Sequence, residues 1–231
     1  IPIGGSAVMT NGLKMIDQGK TLAADMLEAA TVDIEFDEGK FRIAGTDRAV
    51  AWDKVAAASY ADTRPDGVAP GLFVTETYSP EGATFPNGCH VCEIDIDEAT
   101  GAVEWVRYTI QDDLGHTLNP LLAEGQIVGG AVQGLGQALH EHAVYDATGQ
   151  LTTGSFMDYC MPRADSTPAF DVATTEVPTP RNAMGIKGAG EAGTIGATPA
   201  VVNAVLDALG PLGITHLDMP LTPLKLWQAI Q

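Results

Sequence analysis

One carboxylate stands alone in a run almost without side chains: Gly185-Ile186-Lys187-Gly188-Ala189-Gly190-Glu191-Ala192-Gly193-Thr194. Its four glycines permit positive φ or the close approach of another group. Glu191 is the only anion in the run. An apolar, helix-capable segment follows over residues 195–209, with Thr194 placed to cap it. A carboxylate on a tight loop just ahead of a helix, if screened from water, is chemically suited to act as a general base. The same residues also describe a glycine-rich turn carrying a solvated glutamate, and the local sequence does not decide between the two. Lys187, four residues earlier, would weaken such a base if it faced the carboxylate, so it is expected to point away.

Four further groupings could do chemistry. Gly4-Gly5-Ser6 precedes a helical run, and free backbone N–H groups at a helix start bind anions; on local grounds an ordinary capped helix is the better fit. In the run Gly125-Gln126-Ile127-Val128-Gly129-Gly130-Ala131-Val132-Gln133-Gly134-Leu135-Gly136, glycine costs ~1 kcal/mol per helical position relative to alanine. The offset must be close approach of another helix or of a ligand. Gln126 and Gln133, seven apart, share a helix face and offer both donors and acceptors. Cys89-His90-Val91-Cys92 and His140-Glu141-His142 invite a metal reading. On a strand, however, positions 89 and 92 face opposite ways, and neither group has a second pair at zinc spacing. Packing and solvation account for them, and no side chain of this chain is expected to ligate a metal.

The elements that must position these groups follow from periodicity. Residues 1–30 read as a helix, residues 32–43 as a small hairpin, and residues 52–60 as a short helix. Residues 71–78 begin an extended piece. Residues 89–96 and 103–111 form a hairpin across Asp97-Glu98-Ala99-Thr100-Gly101. Asn119 caps a helix over residues 121–139, with Pro120 in its first turn. Residues 144–151 read as strand, turn, strand, residues 156–161 as a helical stretch, and residues 171–177 as a strand. Helices close the chain over residues 199–209 and after Thr222-Pro223. The expected fold class is α+β: helices on mixed sheets in two subdomains, with a boundary near 61–70, and with the glycine-rich helix and the glutamate loop meeting between them.

Composition narrows the function. At 231 residues and 45 % hydrophobic, the chain can bury a sizeable core. Its net charge of −18 excludes nucleic acid and anionic membranes as partners. No run approaches the ~20 apolar residues of a membrane span. Three cysteines make no disulfide framework and fit a reducing cytosol. The chain opens Ile1-Pro2 without Met, as expected of a processed or truncated sequence, which leaves a periplasmic location open.

Lys187-Gly188-Ala189-Gly190-Glu191-Ala192-Gly193 resembles the glutamate loop of the molybdenum hydroxylases, the family of xanthine dehydrogenase, aldehyde oxidase and molybdenum carbon monoxide dehydrogenase. The run 125–136 resembles that family's glutamine-glycine helix, and Thr198-Pro199-Ala200-Val201-Val202-Asn203-Ala204-Val205 the segment after the loop. The three blocks occur in the family's order. The likeness is to the C-terminal portion of the large, molybdopterin-binding subunit, so all of 1–231 is expected to be that part of the domain.

The resemblance implies hydroxylation of a small aldehyde, N-heterocycle or related substrate with oxygen from water, with Glu191 taking the proton from the attacking oxygen. It implies molybdopterin with molybdenum, as the cytosine dinucleotide in bacterial members, and places Gly4, Gly5, Ser6, Gln133 and Gly190 at the cofactor. The upstream half of the subunit, an iron–sulfur partner with [2Fe–2S] centres, and a FAD subunit or other electron acceptor are implied partners, in a dimer of heteromers. Neither four clustered cysteines nor a dinucleotide fingerprint after a strand occurs here to hold those centres. The loop lacks the proline typical of xanthine dehydrogenases, which weakens a purine assignment. The competing reading is a cofactor-free structural fragment, inactive without its upstream half.

Overall fold

A computed structural model describes residues 1–65 and 68–231, which fall into two compact units. The first comprises Ile1–Glu81 with Asn182–Met184, and the second Gly82–Arg181 with Gly185–Gln231. The division falls at Glu81/Gly82. The boundary expected at 61–70 includes Asp66 and Gly67, which lie outside the described residues.

In the first unit, α1 (Pro2–Met26) packs on a three-stranded antiparallel sheet of β1 (Ile34–Asp37), β2 (Lys40–Ile43) and β3 (Ala49–Ala51). The β1–β2 turn places Glu38 and Gly39 both at positive φ, the two-residue hairpin geometry that matches strand twist. α2 (Trp52–Ala58) follows β3 directly. Phe41, fully buried, stacks on Trp52 with ring centroids 5.6 Å apart, and its ring lies where Gly19 of α1 has no side chain. Leu22, Ala23, Ile34 and Val55 complete this core.

The second unit is built on β4 (Asn87–Ile96), β5 (Val103–Asp113) and β6 (Phe170–Thr175), in that order across the sheet. β4 and β5 are an antiparallel hairpin; β5 and β6 run parallel, so the sheet is mixed and the class α+β. Three helices join it: α3 (Pro120–Leu139), α4 (Ala192–Leu209) and α5 (Pro223–Ile230). Tyr108 and Ile110 of β5, Ile127, Ala131 and Leu135 of α3, and Val201 and Val205 of α4 form the shared core. The glycine-rich helix and the glutamate loop therefore meet within one unit, rather than between two as expected. Residues 71–86 hold no regular strand, residues 144–151 make only one bridge (Tyr145 with Leu151), and residues 156–161 make turns rather than a helix.

α4 corrects two expectations. With the 3-10 turn after it, it forms a helix of 21 residues over Ala192–Leu212, long and apolar enough to cross a membrane by length and composition alone. Yet Gly193, Ala197, Val201, Val205 and Leu209 are buried at a strict spacing of four, one face turned into the core. It also starts earlier than Thr194: Glu191 is its N-cap, and Pro199 lies inside it.

Candidate functional site

The loop carrying Glu191 is held at both of its ends. On entry it runs beside the end of β5, where Gly115 pairs with Ile186 as an antiparallel bridge. The Lys187 N–H donates to Leu114 O at 2.8 Å, and the His116 N–H to Gly185 O at 3.0 Å. Gly185 and Gly115 both take positive φ here, and Pro178 would lie 2.9 Å from a Cβ at Gly185.

The Lys187 ammonium donates to Asp113 Oδ2 at 2.5 Å and to Asn87 Oδ1 at 3.3 Å. Its charge is thus committed to β5, as expected of a lysine that must not face Glu191. Burial raises the Asp113 carboxyl, but the Lys187 hydrogen bond, the N–H groups of Gly115 and Val177, and the lysine charge outweigh it and hold it below the usual carboxylate range.

On exit the loop becomes α4. Ile195 N–H donates to Glu191 O at 3.0 Å, closing the first helical turn, while the Glu191 side chain makes no cap and is exposed. Gly190 is open, with nothing within 4 Å of where a Cβ would stand. Thr194, expected as the cap, lies in the first turn and donates its hydroxyl to Gly130 O of α3 at 2.9 Å. One turn on, Thr198 repeats the contact with Gly134 O at 3.3 Å.

These bonds divide the α3 glycines between two jobs. Gly130 and Gly134 face α4: a Cβ on Gly130 would lie 3.1 Å from Thr194 N, and one on Gly134 would lie 2.8 Å from Ala197 Cβ. Helix–helix packing accounts for both. Gly125 and Gly129 are exposed and meet nothing within 4 Å, on the side that also exposes Gln126 and Gln133. Asn119 Oδ1 caps the helix by accepting the Leu122 N–H at 3.2 Å, as its sequence dictates.

Gly4, Gly5 and Ser6 belong to the first unit, and they form no turn ahead of a helix. Pro2 occupies the first helical position and starts α1 before them, and Gly5 N–H already donates to Ile1 O at 2.7 Å. Gly5 lies against Met184, Gly4 is open, and Ser6 is fully buried with its Oγ unpartnered.

Cys89 and Cys92 lie on opposite faces of β4, one exposed and one half-buried. Burial, then Glu93, pushes the Cys92 thiol up to about 11. Glu141 accepts from the Tyr159 hydroxyl at 2.9 Å, and burial outweighs Glu141 in lowering the His140 imidazole. Among the described residues no three His, Cys, Asp or Glu side chains gather to hold a metal. A concavity of about 810 Å³ lies at the far end of β5 along Val103 to Arg107, and none of the expected site residues lines it.

Sequence reasoning missed the buried trio His90, Tyr108 and Asp112. Its signal was the alternation His90, Cys92, Ile94, Ile96 along β4, which turns His90 inward with the apolar residues.

The mixed sheet, packed against paired small-residue helices, defines the class as an α+β domain. A family profile described as "Molybdopterin cofactor-binding domain" matches residues 1–168, and the chain belongs to that family. The carbon monoxide dehydrogenase large chain of Hydrogenophaga pseudoflava is 34 % identical over 230 residues, covering 100 % of this chain and 29 % of that protein. The nicotine 6-hydroxylase large subunit of Paenarthrobacter nicotinovorans is 40 % identical over 211 residues, 90 % of this chain and 26 % of its own length. Among solved structures, Cu,Mo-CO dehydrogenase superposes with a TM-score of 0.92 at 34 % identity, over 98 % of this chain and 28 % of that one. Quinoline 2-oxidoreductase from Pseudomonas putida 86 superposes at 0.87 and 37 % identity, over 94 % and 28 %. The chain spans under a third of the length of the relatives it matches.

Proposed function

We propose that the chain supplies the glutamate-bearing part of the cofactor site in a molybdenum hydroxylase, with Glu191 as the base. One observation carries the reading. The only carboxylate of a bare loop is presented at the start of α4, while the one nearby cation of the run, Lys187, is occupied by Asp113. A base needs an oxygen free to take a proton and no competing cation, and Glu191 meets both conditions. The residues present also fit a pterin. Gly129 and Gly190 leave open approaches, and Gln133 presents an exposed amide.

Gly190 and Gln133 hold the cofactor in this reading, with Gly4, Gly5 and Ser6 contributing from α1. The cofactor is molybdopterin in its cytosine dinucleotide form. When bound, it supplies two-electron redox chemistry. Glu191 takes the proton from the attacking oxygen, which derives from water, and the small-molecule substrate is an aldehyde, N-heterocycle or relative. Electrons leave to [2Fe–2S] and FAD partners, the upstream half of the subunit completes the site, and the assembly is a cytoplasmic dimer of heteromers.

The test is Glu191→Gln in the complete subunit. Molybdenum content by plasma mass spectrometry stays at the wild-type level while turnover is lost, and wild-type product made in ¹⁸O-water carries the label. Near-normal turnover in the variant, or unlabelled product, overturns the assignment.

A further inference from the structure

Beneath the first two turns of α4, two buried side chains stand with atoms unsatisfied. The His90 and Asp112 side chains are 3 % and 4 % exposed. His90 Nδ1 meets the Tyr108 hydroxyl at 3.1 Å, while His90 Nε2 and Asp112 Oδ2 have no hydrogen-bond partner. Nε2 lies 3.8 Å from Asp112 Oδ1, beyond hydrogen-bond reach. Both side chains line a cavity of about 100 Å³, walled by Asn87 and Gly88 of β4 and by Ala192, Ile195 and Gly196 of α4. The imidazole takes the place of a side chain on Gly196, where a Cβ would fall 2.5 Å from the ring.

A buried water needs roughly 10–15 Å³ and two to four polar partners; the cavity has that room, and Asn87, His90 and Asp112 are the polar side chains along it. We propose that His90 and Asp112 hold a buried water beneath the start of α4, and that this bridge positions the helix end carrying Glu191. The hydrogen bonds run in one direction. The Tyr108 hydroxyl donates to Nδ1, Nε2–H donates to the water, and the water donates to Asp112 Oδ2. The bridge joins β4 and β5 under α4, just as the Thr194 hydroxyl joins α4 to α3 from the side. The water site stands on the cavity and its orphaned atoms alone; the positioning role rests on Glu191 being the base.

The experiment uses the intact enzyme containing this chain. A crystal structure at a resolution that shows ordered solvent is expected to place one water within hydrogen-bond distance of His90 Nε2 and Asp112 Oδ2. No density there, or a direct His90–Asp112 bond, overturns the bridge. His90→Phe keeps a ring and removes both nitrogens. It is expected to speed hydrogen exchange at the amides of residues 193–196 about tenfold and to lower kcat about tenfold, with KM within twofold and molybdenum content unchanged. His90→Gln, which restores a polar group toward the cavity, should recover part of both losses. Wild-type kcat in both variants overturns the positioning role, and unchanged exchange overturns the mechanical link. If Glu191→Gln remains active, the base reading fails by itself, while solvent density and exchange still judge the water site.

Discussion

Lys187→Met removes the cation that faces Asp113 and keeps the length of the side chain. Asp113 is then a buried carboxylate left with two donors, the N–H groups of Gly115 at 2.8 Å and Val177 at 3.1 Å. Breaking a buried pair outright costs about 3–5 kcal/mol, whereas losing one charged hydrogen bond costs about 1.5–3. The two surviving donors place this case in the lower range, so local opening at the end of β5 becomes easier by ~1.5–3 kcal/mol. At 1.4 kcal/mol per decade, amides of residues 114–117 and 185–188 exchange roughly 10- to 150-fold faster at neutral pH. The sign with pH is fixed by the direction of the Asp113 shift. A carboxyl held below its ordinary value stabilises the fold above that ordinary value and loses the contribution as pH falls through its folded one. The difference between wild type and variant is therefore full at pH 7 and shrinks below about pH 4. Hydrogen exchange with mass spectrometry on the intact subunit, as protection factors at both pH values, reads this directly. Equal protection at pH 7, or a difference that persists unchanged in acid, refutes the ion-pair account of the loop.

Two other predictions separate packing from binding. Gly134→Ala drives a methyl to 2.8 Å from Ala197 Cβ and should cost about 1–3 kcal/mol in thermal or urea unfolding of the subunit. Gly129→Ala meets nothing within 4 Å and should gain up to ~1 kcal/mol of helix propensity, yet lower molybdopterin occupancy if that bare face admits the cofactor. Cys92, half-buried and pushed up to about 11, should resist alkylation at pH 8 under conditions that label exposed Cys89, as peptide mass mapping would show.

What the sequence revealed, it revealed through local rules. Asn119-Pro120 starts α3 where its cap and its proline dictate, and the hairpins sit where alternation and turn residues put them. The α4 start escaped the same rules because Thr194 spends its hydroxyl on Gly130, sixty-four residues away, so capping chemistry was read where interhelical chemistry operates. Gly4-Gly5 resembled a turn because the propensity of two glycines was set against the helix, while Pro2 had already begun it. The glycines of α3 looked alike in sequence. Only the partner helix tells those that admit α4 from those that face outward.

Adjacent residues on a strand point to opposite faces, and at the end of β5 this alternation serves one loop from two directions. Asp113 takes Lys187 on one side and so fixes the segment entering the glutamate loop. Asp112, on the other face, stands with His90 beneath the helix that the loop becomes. Glu191 itself touches neither. A glutamate whose own side chain makes no cap owes its position to the backbone on either side of it. An acid–base residue that must keep its oxygens free for a proton is well served by such an arrangement, because the contacts that orient it occupy none of its lone pairs.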